Sequence, residues 1–270
     1  MTRQEFLDHH FQVHGQMSDV GDSPELKPHR YRQYHIFDCA FGAPRSVDGQ
    51  RGLPNRNHAW FWRDDITELY FRDMAHLQSV FSSEHVRKVV GPDGLNFSDM
   101  GTSIPWIGRE AQVHVANAEP GESDVVAFYF VSLNEGTGDN VDGLVAAFRE
   151  EVETHAASQV LGLIANKAPS VLPQDATNDA LLSFPLTDYF GGKTMPSYAL
   201  YFKLTLKSAA SATAVRKVQH AFEARAEVLG VDTSESIIAF AKEGLVLDIN
   251  TPFDGARQPI MPELHHHASR

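Results

Sequence analysis

Apolar and polar positions along this chain fall into short alternating and helical runs whose order nearly repeats. Thr2, followed three residues later by Glu5, forms a capping box, and Phe6, Leu7, Phe11 and Val13 then fall at helical spacing. A polar stretch with Gly21, Pro24 and Pro28 separates this helix from an aromatic-rich strand over Tyr31–Phe41, stopped by Gly42-Ala43-Pro44. Residues 45–57 read as a long loop, 58–63 as an extended edge, and Ile66–Phe71 as the next strand. Met74, Leu77, Val80, Phe81, Val86 and Val89 mark a helix over 73–90, which Gly91-Pro92-Asp93-Gly94 is expected to end. An extended stretch, broken by Pro105, then reaches Val115.

After a linker at 116–123 the pattern runs again, in full. Val125–Leu133 is a strand, Val141–Ala157 an amphipathic helix, and Val160–Ala165 a second strand followed by a Pro-rich loop. Ser197–Leu206 is a third strand, Ala209–Leu229 a helix ended by Gly230, and Ile237–Ile249 the last strand. The second half therefore reads β-α-β-β-α-β, and the first half reads the same with its opening strand truncated or borrowed from elsewhere. The predicted fold is α+β: tandem ferredoxin-like units with antiparallel sheets and helices on one face. The units span residues 1–117 and 118–250, and a mobile tail carrying His265-His266-His267 covers 251–270.

Composition narrows the partners. With 270 residues, 42% of them hydrophobic and 21% charged, the chain can bury two ordinary cores. A formal charge of −12 argues against nucleic acid and against anionic membrane surfaces, because both need clustered Lys and Arg. No stretch approaches the roughly 18 apolar residues of a membrane helix, and the first residues lack the apolar core of a signal peptide. One cysteine, Cys39, excludes an internal disulfide, so a cytoplasmic location is expected. A small-molecule substrate is the expected ligand, and a homodimer paired through sheet edges the expected assembly.

Several residues could carry chemistry. His14, at the end of the first helix beside Gly15, titrates near neutrality and is the candidate general base. The competing reading is a helix-end histidine that satisfies a backbone carbonyl. His10 lies one turn earlier on the same face; with Glu68 or Asp65 it could chelate a metal, but two imidazoles are a weak signal and no metal or other cofactor is expected. Strand alternation puts Tyr31, Gln33 and His35 on one face, and Ile66, Glu68 and Tyr70 on one face of the neighbouring strand. A buried Glu68 would need a raised pKa or a partner such as a histidine. Asp99 reads as a local turn residue.

The first half resembles the EthD family of dimeric α+β barrel proteins. The likeness is carried by Phe6-Leu7-Asp8-His9-His10-Phe11-Gln12-Val13-His14-Gly15, Tyr31-Arg32-Gln33-Tyr34-His35, Asp65-Ile66-Thr67-Glu68-Leu69-Tyr70-Phe71 and Asn96-Phe97-Ser98-Asp99. His10 departs from it, standing where the family usually has a large aromatic residue. The resemblance implies a cofactor-independent lyase or isomerase acting through an enolate on a polyketide-like, aromatic or terpenoid substrate. His14 would be the base, Tyr31 or His35 would steady the oxyanion, and Glu68 would orient a histidine. His10, Phe11, Gln33 and Tyr70 would bind substrate. The alternatives are a haem- or metal-dependent oxidase or oxygenase, and a non-catalytic metabolite-binding protein.

Overall fold

The computed structural model describes residues 1–20, 23–41, 63–118, 121–137, 140–172, 176–193 and 195–262. The capping box of Thr2 and Glu5 starts α1 (Arg3–Asp8), which runs directly into a π-helix over His9–Gly15. Then follow β1 (Arg30–Phe41), β2 (Asp65–Tyr70), α2 (Met74–Ser82), a second π-helical stretch at Val86–Val90, α3 (Gly91–Phe97) and β3 (Arg109–Val113). The second half contributes β4 (Val125–Leu133), α4 (Val141–His155), β5 (Val160–Lys167), α5 (Ala176–Leu182) and α6 (Leu186–Phe190). It ends with β6 (Leu200–Leu206), α7 (Ala212–Glu223), α8 (Ala226–Leu229) and β7 (Val231–Asp248).

The element pattern holds with three corrections. Gly91-Pro92-Asp93-Gly94 does not end the helix: Val90 and Gly91 keep helical angles, so the π-helical stretch runs directly into α3, and its i→i+5 bonding accommodates the N–H that Pro92 lacks. The Pro-rich stretch contains two short helices, and β7 begins at Val231, six residues before the expected start. The loop at 45–57 and most of the edge at 58–63 fall outside the described residues.

The seven strands among the described residues form a single antiparallel sheet in the order β2-β1-β7-β4-β6-β5-β3. The α+β class and antiparallel pairing are as predicted. Within the sheet, β4, β5, β6 and β7 with α4 and α7 follow the order of a split β-α-β pair. The first half does not repeat that arrangement: β1 and β2 form a hairpin on β7, while β3 crosses the molecule to pair with β5. β7, eighteen residues long, is the seam, with β4 on one side and β1 on the other.

The sheet is curled. Glu68 on β2 and Lys203 on β6 lie four strand spacings apart in the sheet order, about 19 Å if it were flat. Their charged atoms are 2.6 Å apart. The convex face packs under helices, with Tyr129, Phe148, Phe202 and Phe222 at the centre of the main core and Phe148 stacked on Phe202 at 4.0 Å. The concave face holds Tyr34, Ile36, Val126, Phe128 and Tyr201.

The segment from Thr251, expected to be a mobile tail, instead straps the π-helix as far as Pro259. Phe253 packs on Phe11, Gln258 bonds Gln12 and Asp8, and Gly244 on β7 lets Pro259 and Phe11 approach the strand so closely that a Cβ there would overlap both. The histidine run at 265–267 lies outside the described residues.

Candidate functional site

On β1 the alternation sends Tyr31, Gln33 and His35 to the convex face, beneath the π-helix, and Arg32 and Tyr34 to the concave one. The π-helix matters for what lies above them. An α-helix would set residues five apart about 140° around its axis, whereas i→i+5 bonding brings them near one another on a single side. His9 and His14 therefore both reach Asp93 of α3: His9 Nε2 is 3.0 Å from Oδ1, and His14 Nδ1 is 3.0 Å from Oδ2. Asn96 donates to Oδ1 at 3.1 Å. Burial works to raise the Asp93 pKa, but the bonds from Asn96, His14 and His9 hold it below the usual carboxylate range.

Because that carboxylate can only accept, the proton of neutral His14 sits on Nδ1 and Nε2 carries the lone pair. Burial and the neighbouring His10 lower the His14 pKa from 6.5 to about 4, against the pull of Asp93. The imidazole is thus neutral at pH 7, and its side chain keeps 16% of its surface exposed. Phe97 lies against His9, His10 and His14, with ring centroids 4.8–5.2 Å away.

His10 points down to the sheet. Its Nδ1 is 2.9 Å from Asp65 Oδ2, within ion-pair distance but out of line for a hydrogen bond, and its Nε2 is 3.1 Å from the Tyr31 hydroxyl. Gln33 donates from Nε2 to the Tyr31 hydroxyl at 2.6 Å and to the His10 carbonyl at 2.9 Å. His35 is fully buried against Phe11, with neither ring nitrogen hydrogen-bonded among the described residues, and burial lowers its pKa to about 4.

Every residue of this histidine cluster comes from the first hundred positions. Residues 1–101 match the EthD domain family model. Searches of curated proteins and of solved structures returned no match. The EthD segment thus supplies α1, the π-helix, the β1–β2 hairpin and α3, and the remainder of the chain supplies most of the sheet on which they rest.

The site residues expected from the sequence divide between the two sheet faces. His10, Phe11, His14, Tyr31, Gln33 and His35 gather on the convex face of the EthD segment. Glu68 and Tyr70 lie on the concave face, where Glu68 reaches no histidine among the described residues. Its Oε2 accepts from Lys203 at 2.6 Å, Tyr34 at 2.6 Å and Tyr70 at 2.7 Å, and its Oε1 accepts from Tyr201 at 2.9 Å. Burial works to raise the Glu68 pKa, but the Lys203 ammonium and the tyrosine donors hold it down, the reverse of the shift expected for an unpartnered buried carboxyl. A surface cleft of about 290 Å³ between Trp106, Tyr198, Pro169 and Leu186 has no histidine in its lining and meets this network through the contact of Trp106 with Tyr201.

Sequence reasoning missed His9, Asp93 and Lys203. Asp93 carries no local signal for its partners, His9 and His14, which lie 84 and 79 positions away. Lys203 carries no local signal, since only the curl of the sheet brings it to Glu68.

Proposed function

We propose that this protein is a cofactor-independent enzyme of lyase or isomerase type. It would dehydrate, decarboxylate or cyclise a polyketide-like, aromatic or terpenoid small molecule through an enolate. The observation that carries this reading is the His14–Asp93 pair, a neutral, partly exposed imidazole whose tautomer is fixed by a carboxylate. Nε2 takes a proton from a carbon next to a carbonyl, the C–H pair of electrons becomes the enolate, and the resulting imidazolium is held by the Asp93 carboxylate. Phe97 and the partly buried Phe6 offer an apolar wall for a flat substrate. Tyr31 and His35, at 2% and 0% exposure, serve the site from below and do not reach substrate.

The test needs no knowledge of the final product. Enolisable aromatic and polyketide-like ketones are incubated with the protein in D2O, and exchange at the α-carbon is followed by proton NMR. The wild type is expected to exchange at least one class well above the buffer rate, and His14→Ala to lose roughly 10²–10⁴-fold of that rate. Equal exchange by His14→Ala would remove His14 from the mechanism.

A further inference from the structure

Beneath the base lies a second chain of polar groups. Asp65 stands at the start of β2, directly opposite His35 in the strand register and on the same convex face. From it the contacts run to His10 Nδ1 at 2.9 Å, and from His10 Nε2 to the Tyr31 hydroxyl at 3.1 Å. Gln33 donates to that hydroxyl, so its own proton is free for His10 Nε2, which leaves the proton of neutral His10 on Nδ1, beside Asp65. Carboxylate, imidazole and hydroxyl thus stand in the order of a nucleophilic triad. The hydroxyl end is buried at 2% exposure, so Tyr31 attacks nothing. What this chain can govern is the orientation and charge of His10, whose ring centroid is 5.5 Å from that of His14.

We propose that Asp65, His10 and Tyr31 form a positioning relay that sets the charge and tautomer of the imidazole beside His14, and through it the readiness of His14 to accept a proton. The groups facing His14 are His9 and His10 from its own helix and Asp93 from α3. Those facing His10 are His14, Asp65 from β2, and Tyr31 and His35 from β1. Of these, Asp93 favours a proton on His14, whereas a cationic His10 opposes it. Asp65, within ion-pair distance of His10 Nδ1, supplies the opposite charge beside that imidazole. The Glu68–Lys203 cluster on the other face offers no such control, because its charges are closed on one another. In catalytic meaning the proposal rests on His14 as base; its test does not.

Histidine ring nitrogens of the full chain are titrated by two-bond proton–nitrogen NMR in the wild type, Asp65→Asn and Tyr31→Phe. The wild type is expected to show His14 protonated on Nδ1, with a midpoint far below 6.5. Asp65→Asn should raise that midpoint by about one unit, because the carboxylate that supports positive charge on the neighbouring ring is gone. Tyr31→Phe should leave the His14–Asp93 bond in place while His10 loses its single tautomer. His10→Gln removes the neighbouring charge altogether and should raise the His14 midpoint by at least as much, which keeps the test open should Asp65→Asn fail to fold. A His14 midpoint unchanged in a folded Asp65→Asn or His10→Gln variant overturns the relay. Shifted midpoints with no substrate exchange by the wild type would instead retire the proposed function and leave the relay standing.

Discussion

His14 and Asp93 meet because helical segments from distant parts of the EthD segment pack together, and the hydrogen bond between them fixes which nitrogen of His14 is free to act. Asp93→Asn keeps the size of the side chain but removes the charge that holds Nδ1 protonated and steadies the imidazolium. It is expected to lower kcat about 10²-fold with little change in KM, measured on whichever substrate shows exchange. His35 gives a prediction about stability. Its pKa is depressed from 6.5 to about 4 by burial, so the folded state disfavours its protonated form. The stabilisation from keeping it neutral is complete above pH 6.5, falls as the pH drops toward 4, and changes no further below that. His35→Leu should therefore flatten the fall in unfolding free energy over that window by up to ~3 kcal/mol in denaturant titrations. A slope as steep as wild type would show that His35 is not an acid-sensitive group. At this scale the sequence was informative wherever chemistry follows from residue type and alternation: His14, His10 and the Tyr31-Gln33-His35 face were legible. Asp93 was not, because its partners are 79 and 84 positions away.

Among the elements, the two π-helical stretches and the concave network show what local pattern cannot reveal. Apolar spacing predicted a helix near residues 2–14, but no propensity distinguishes an α-helix from one widened to i→i+5, and that widening brings His9 and His14 to one carboxylate. Glu68 was legible as a buried acid and was paired with the wrong partner, since sequence spacing says nothing of a sheet's curl. The Glu68–Lys203 pair has 8% and 5% side-chain exposure, with three tyrosine hydroxyls completing its hydrogen bonds. Removing one charge strands the other in a place where it cannot be hydrated. Glu68→Leu or Lys203→Met alone should cost ~3–5 kcal/mol, whereas the double variant should recover a large part of that loss. Additive losses in urea titrations would mean that the pair does not act as a unit. Because the network lies on the face opposite His14, a folded Glu68→Gln variant is expected to keep its substrate exchange.

At the scale of the whole molecule, the second half was legible almost to the residue in its first strand and helix, because each is a periodic run closed by turn residues. The duplication was misleading because pairing between halves is a long-range choice. β7 accepts β1 along its free edge, and β3 crosses to the opposite edge, so the EthD segment is built into the sheet of the second half. The same integration gives the strap after Thr251 its role. Phe253 against Phe11, Gln258 between Gln12 and Asp8, and Pro259 over Gly244 hold the π-helix on β7 from the side opposite Asp93. Burial of the strap's apolar side chains contributes at least ~2 kcal/mol, and its larger effect is on geometry. A chain ending at Asn250 should still form the main core around Phe148, Phe202 and Phe222, which the strap does not touch. Its π-helix, however, loses the clamp that fixes the spacing of His9, His10 and His14. The expected result is near-wild-type far-ultraviolet dichroism, amide exchange that quickens selectively over residues 3–17, and loss of most α-carbon exchange of substrate. A chain ending at Pro262 keeps every one of these contacts and should behave as the full chain does. If the shorter chain retained both slow amide exchange in the helix and full activity, the π-helix would be self-supporting, and the histidine geometry would owe its precision to α3 and Asp93 alone.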